Sequence, residues 1–200
     1  MTRREVAGSL AEDRAPSLPE GLPREKLLLP DEGVGALFHR TYRVRIAQAH
    51  VSPEELMRQV SADPDVVAPR EFASFNKLQG EKGRMRVGDE YVVRMAGPWD
   101  GPVRVAEVEP TSLRLVTLDG HLEAGQIEFR VEQEDGRLVF SIESWARSGD
   151  RLSNLLYGYL RMAKEVQLHM WTSFLERLIE LAGGSRFGRL EIETRRVDAR

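Results

Sequence analysis

The chain has 200 residues, 41% of them hydrophobic and 30% charged, with a formal net charge of −3 and no cysteine. That length and apolar share fit one domain able to bury its own core, and the missing thiols exclude disulfides, thiolate metal sites and cysteine nucleophiles. The slightly acidic balance argues against a dedicated nucleic-acid binder, whose phosphate contacts need a basic face.

Residues 1–35 read as a flexible, Pro-rich leader. Pro16, Pro19, Pro23 and Pro30 interrupt any helix, and only Leu27-Leu28-Leu29 offers a local anchor. Met1 to Ala11 carries Arg3, Arg4 and Glu5 without the apolar segment of a signal peptide, and no run approaches the roughly 18 apolar residues of a membrane span. No integral membrane segment is therefore expected, and the expected location is the cytoplasm.

The domain itself is expected over residues 36–184. Tyr42, Val44 and Ile46 alternate with Thr41, Arg43 and Arg45, which predicts a half-buried strand. Ser52-Pro53-Glu54-Glu55 predicts a capped helix start, with the helix ending by Asp63-Pro64. Val66 to Leu78 predicts a second short helix or irregular turn, with Phe72 and Phe75 on one face. From Gly83 the period becomes two, and Met85, Val87, Tyr91, Val93 and Met95 stay in phase. Further strands are marked by Val103 and Val105, by Leu113, Leu115 and Thr117, by Ile127, Phe129 and Val131, and by Leu138, Phe140 and Ile142. Asp119-Gly120 and Asp135-Gly136 turn the chain, so the strands should form an antiparallel meander with one polar face. From Asp150 to Ala182 apolar residues recur at three- and four-residue steps through Tyr159, Met170, Phe174 and Leu178, predicting one long closing helix ended by Gly183-Gly184. Residues 185–200 are expected to be a charged C-terminal tail in which Leu190 and Ile192 have the spacing of a short strand.

This α+β order carries a resemblance. Arg86-Val87-Gly88-Asp89-Glu90-Tyr91 looks like the second-strand signature of bacterial members of the START-like superfamily, which includes lipid-transport domains and polyketide cyclases. The run Leu115 to Phe129, with Thr117, Gly120-His121, Ala124-Gly125 and Phe129 at its fixed points, is similar to a stretch of one bacterial branch labelled a domain of unknown function. The resemblance covers about residues 37 to 182. It implies a helix-grip fold: a curved antiparallel sheet wrapped on a long C-terminal helix, with two short helices after the first strand. It also implies a shared cavity rather than a shared catalytic set.

The expected function is therefore binding of a small hydrophobic ligand (a lipid, isoprenoid or polyketide-like molecule) in an internal cavity, as carrier or sensor. Tyr91, Met95, Phe129, Phe140, Tyr159 and Met170 are the candidate lining residues, although a purely structural core uses the same residue types. Trp99, between Pro98 and Asp100-Gly101, is a candidate gate or a loop anchor. Trp145 and Trp171 read as packing residues at the seam of helix and sheet. One alternative is a cyclase, dehydratase or hydrolase using the same cavity, with His121 and Glu123 as acid–base candidates. Another is a ligand-free interaction module. Leu160, Leu168 and Trp171 fall off the main helical face and favour a wide contact surface or a homodimer through the C-terminal helix. No cofactor is implied. No metal is expected either, since His39, His50, His121 and His169 lack any recognised ligand spacing.

Overall fold

Strand-forming residues dominate the chain, and the computed structural model, which describes residues 1–69, 73–81, 83–95, 100–149 and 157–198, assembles them into one sheet. In chain order the strands are β1 (Thr2–Ala7), β2 (Val34–Ala47), β3 (Ala73–Gln79), β4 (Glu90–Met95), β5 (Asp100–Glu109), β6 (Ser112–Thr117), β7 (Glu123–Glu134), β8 (Arg137–Ser148) and β9 (Ser185–Val197). Their order across the sheet is β1-β9-β2-β8-β7-β6-β5-β4-β3. Neighbours run antiparallel except β1 and β9, which are parallel. The β7–β8 hairpin turns at Asp135 and Gly136, both with positive φ (48° and 73°), as a two-residue turn of this hand requires.

Two α-helices complete the framework: α1 (Pro53–Ala62) and α2 (Tyr157–Leu181). In α1, Ser52 accepts the Glu55 N–H at 3.2 Å and Pro53 occupies the first turn, while Leu56, Met57 and Val60 are buried. A single 3-10 turn at Pro64–Val66 follows. At 1.5 Å per residue, α2 is about 37 Å long. Its Met170, Phe174, Leu175 and Leu178 are buried against the concave face of the sheet. There Phe174 meets Phe129 of β7 at 5.6 Å and Phe140 of β8 at 6.2 Å. Tyr42, Val44 and Ile46 of β2, with Leu138, Phe140 and Ile142 of β8, supply the apolar side of the same layer.

The sequence expectation and the structure differ in several places. Among its described residues, Val66 to Leu78 holds no second α-helix, and Phe72 lies outside them. The 3-10 turn leads to β3, in which Phe75 faces the core and its N–H is bonded to Asp65 at 2.8 Å. The strand expected from Gly83 starts only at Glu90. Asp89 accepts the Arg86 N–H at 2.9 Å and closes a turn that leaves Val87 exposed. The C-terminal residues form β9, thirteen residues long and inserted between β1 and β2, because Leu190 and Ile192 face the core while charged residues alternate with them. The helix start expected at Asp150 lies outside the described residues.

Residues 1–35, expected as a loose leader, take a defined path. β1 adds to the edge of the sheet, and residues 9–33 then run as a strap over its convex face. Gln126 Nε2 donates to the Pro16 carbonyl at 3.1 Å, and Arg104 donates to the carbonyls of Pro23 and Glu25 at 2.7 and 3.1 Å. Leu22 and Leu27 are buried with Ala106, Val116 and Leu118. These convex-face residues are why the strap binds: Ala106 and Val116 point away from the main core and still need cover from water.

Candidate functional site

Side-chain alternation decides what each strand offers to the space under α2. On β2, Phe38 and Arg40 share the inward register of Tyr42, Val44 and Ile46. On β7, Glu123 shares the register of Ile127, Phe129 and Val131. Arg40 and Glu123 thus stand on the concave face, where an apolar residue is the rule. The Arg40 side chain is only 9% exposed, lies over the Phe38 ring at 4.8 Å, and has Glu123 Oε1 at 3.7 Å. The other Glu123 oxygen accepts from Gln167 Nε2 of α2 at 3.2 Å. Tyr42 lies next to Arg40 in the inward register, its ring 6.4 Å from Trp171, and burial raises its phenol pKa, so the hydroxyl stays protonated.

Beside this polar group the apolar lining is incompletely covered. Ile127, Leu168 and Trp171 belong to the inner layer but remain half-buried, as do Val93 and Phe75 farther along the sheet. Trp171 also meets Phe129 and Phe174, each at 5.7 Å.

A second polar group closes the far edge. Lys77 Nζ pairs with Asp89 at 2.6 Å, donates to the Glu81 carbonyl, and sits 5.4 Å from the ring centre of Tyr91. Burial disfavours its charge, but the bonds to Asp89 and Tyr91 outweigh burial and raise its pKa. Lys77 is thus a strut for the β3–β4 connection rather than a free cation.

His121 and Glu123 are adjacent, but not as a carboxylate–imidazole dyad. Nδ1 of His121 lies 2.9 Å from both the backbone nitrogen and the carbonyl oxygen of Glu123, so the ring is tied to that backbone, and the Glu123 carboxylate turns to Gln167 and Arg40. The ring packs over Gly101 of β5, where an added Cβ would lie 2.9 Å from Nε2. Burial lowers its pKa, so the imidazole is neutral at neutral pH.

Among the expected lining residues, Tyr91, Phe129, Phe140 and Met170 are all buried on the inner side, at 4%, 3%, 0% and 6% exposure. Phe129 and Phe140 converge on Phe174, whereas Tyr91 stands apart near Lys77. The side chains of Met95, Tyr159 and Leu160, and the whole of Trp99, lie outside the described residues. Leu168 and Trp171, expected as off-face residues, pack against the core. Trp145 is not at the helix–sheet seam. It points to the convex face, stacked on His39 at 5.1 Å and packed with Leu37 and Val197, because it has the opposite register to Phe140 and Ile142.

A separate cleft of about 660 Å³ opens on the other side of α2, lined by His169, Ser173, Glu176, Arg177, Glu180 and Leu181 with Val66 and Pro69. Arg177 donates across it to the Ala68 carbonyl at 3.1 Å. Its charged lining does not suit an apolar guest. No group of His, Asp or Glu with metal-site geometry occurs among the described residues.

Arg40, Gln167 and Trp171 were not among the residues expected at the site. For Arg40 the signal was present: a charged residue in the inward register of an otherwise apolar strand.

The nine-stranded curved sheet gripping one long C-terminal helix gives this chain a helix-grip fold, as in START-like proteins. Within that class, the chain belongs to the family described as a domain of unknown function, DUF1990, whose profile matches residues 39–177. Solved structures share the fold at low identity. A hypothetical protein from Helicobacter pylori is 12% identical, with 84% of this chain and 96% of that one covered, at a TM-score of 0.53. Major latex-like protein 151 from Panax ginseng is 10% identical, with 71% of this chain and 97% of that one covered, at a TM-score of 0.51. A comparison with curated proteins finds no match. No helix among the described residues is long and apolar enough to cross a membrane.

Proposed function

We propose that the protein binds a small, mostly apolar molecule between the concave face of the sheet and α2, as a carrier or sensor. The observation that supports this is the half-buried apolar lining. Ile127, Leu168 and Trp171 belong to the inner layer yet are only half-buried, next to the inward polar residues Arg40, Glu123 and Tyr42. A fully packed interior has no reason to place an arginine there. Removing apolar ligand surface from water, at about 25 cal/mol per Å², is the main driving force of such binding.

The acid–base alternative through His121 and Glu123 has less support, since the carboxylate engages Gln167 and Arg40 rather than the imidazole. A cytoplasmic location and self-association through α2 belong to the same proposal. The first draws support from the cysteine-free composition, and the second rests on the exposed polar side of α2 rather than on Leu168 and Trp171, which face the core.

Native mass spectrometry of the purified protein, followed by titration with a panel of fluorescent lipids, tests the reading. A retained or acquired apolar molecule at one per chain is expected. Absence of both retained and acquired ligand overturns it.

A further inference from the structure

The other two buried arginines among the described residues each donate to a carboxylate at hydrogen-bond distance. Arg104, 6% exposed, donates to two carbonyls and to Glu90, and Arg114, 5% exposed, donates to Glu107 at 2.8 Å. Arg40 differs. Its side chain is more than nine-tenths buried on the concave face, and it makes no hydrogen bond to a described residue. Among the described residues its ion-pair partner is Glu123, 3.7 Å away and beyond hydrogen-bond reach. That carboxylate is held at its other oxygen by Gln167. The guanidinium is kept in place from beneath by the Phe38 ring at 4.8 Å, while Tyr42 adds a protonated phenol in the next inward position. A planar fork of donors, fixed on an aromatic ring and with no hydrogen-bonded acceptor among the described residues, matches two coplanar oxygens. The half-buried Trp171 and Ile127 continue the site as apolar surface.

We infer that Arg40, assisted by Tyr42, receives the carboxylate end of an otherwise apolar ligand, making the guest an amphipathic acid such as a fatty acid. This rests on the binding reading above and names its ligand class. The carboxylate accepts from the guanidinium and the phenol, and the chain lies along Trp171 and Ile127. An amine finds the guanidinium repulsive, and an ester offers no charge.

The test compares dansylaminoundecanoic acid with its methyl ester on the intact wild-type chain, and then on Arg40→Met, which keeps length and apolar stem but removes the donors. The acid is expected to bind at least ~10-fold more tightly than the ester, and Arg40→Met to erase that preference while leaving ester affinity in place. Equal binding of acid and ester to wild type overturns the carboxylate assignment and leaves the carrier reading standing. An acid preference that survives in folded Arg40→Met also overturns it. Binding of neither probe, together with no retained ligand, removes the carrier reading itself. Should Arg40→Met fail to fold, the wild-type comparison still decides.

Discussion

Asp13 and His39, twenty-six positions apart in sequence, meet at 2.7 Å between Oδ1 and Nδ1, and the second ring nitrogen of His39 meets Glu143 at 2.5 Å. Only an imidazolium has two N–H donors to give, so this geometry holds a charged histidine between two carboxylates. Asp13 is fully buried. It also accepts the Ser9 N–H at 2.7 Å and has Arg195 Nε at 3.3 Å, and Arg195 in turn faces Glu12 and Glu193. Trp145 covers the imidazole by stacking. The start of the convex-face strap is thus fixed to β2 and β8 through one titratable ring.

That arrangement sets a pH window. Burial opposes the charge on His39, but the bonds to Glu143 and Asp13 outweigh it and raise the pKa above 6.5. Burial likewise opposes the Asp13 charge, yet the bonds from His39 and Ser9 and the field of Arg195 lower its pKa below 3.8. The His39 contribution is complete below 6.5 and is lost as pH rises through its raised value; that of Asp13 is complete above 3.8 and is lost as pH falls through its depressed value. Unfolding temperature measured against pH should therefore fall on the alkaline side in wild type. The same fall should be absent from His39→Gln, which is less stable within the window. Parallel curves for the two proteins would show that the ring is not the titrating link.

Gly125→Ala should destabilise the fold by about 1–3 kcal/mol, because overpacking a tight backbone contact forces the strands apart. An added Cβ would lie 2.2 Å from the Trp145 carbonyl oxygen and 2.9 Å from the Ala146 Cα, both backbone atoms of the paired strand β8. Urea unfolding reads the loss directly. A neutral result would mean that β7 and β8 separate there without strain.

Thr117→Val tests the junction of strap and sheet. The hydroxyl donates to the Leu28 carbonyl at 2.7 Å and accepts the Gly125 N–H at 2.8 Å. An isosteric methyl removes both of these bonds, while the Gly125 N–H keeps its 3.1 Å bond to the Leu28 carbonyl, so the cost is about 0.5–1.5 kcal/mol. Proteolysis should quicken within residues 18–33 in this variant, and the unfolding midpoint should drop. Unchanged cleavage would indicate that Leu22 and Leu27 hold the strap by apolar contact alone.

These variants clarify what was legible in the sequence. The run from Leu115 to Phe129, read as a family signature, is mainly a structural knot. Gly120 takes a φ of 93°, His121 caps the turn, Gly125 admits Trp145, and Phe129 enters the core. Alternation identified β5 to β8 because each presents one apolar face to the core shared with α1 and α2. It failed for the strap, since contacts such as Arg104 with Pro23 and Glu25 join distant segments and leave no local period. It marked only a short strand where β9 lies, for a related reason: with only Leu190 and Ile192 as inward apolar anchors, thirteen largely charged residues look peripheral until β1 and β2 flank them. The site was half legible. Apolar positions such as Phe129 followed from register, whereas Arg40 required comparison of its register with that of Tyr42.

Core and lining should separate under truncation of two neighbours on α2. Phe174 is 2% exposed and packs on Phe129, Phe140 and Trp171, so Phe174→Ala should cost about 3–5 kcal/mol, as deletion of a buried ring does. Trp171 is only half-buried, so Trp171→Ala should cost less in stability while removing apolar surface from the proposed site. Loss of about 55 Å² of ligand contact is enough for a ~10-fold weaker complex. Chemical denaturation and lipid titration on the two variants measure both effects. If Trp171→Ala loses stability as Phe174→Ala does and binds ligand as wild type does, Trp171 is core and the guest lies elsewhere.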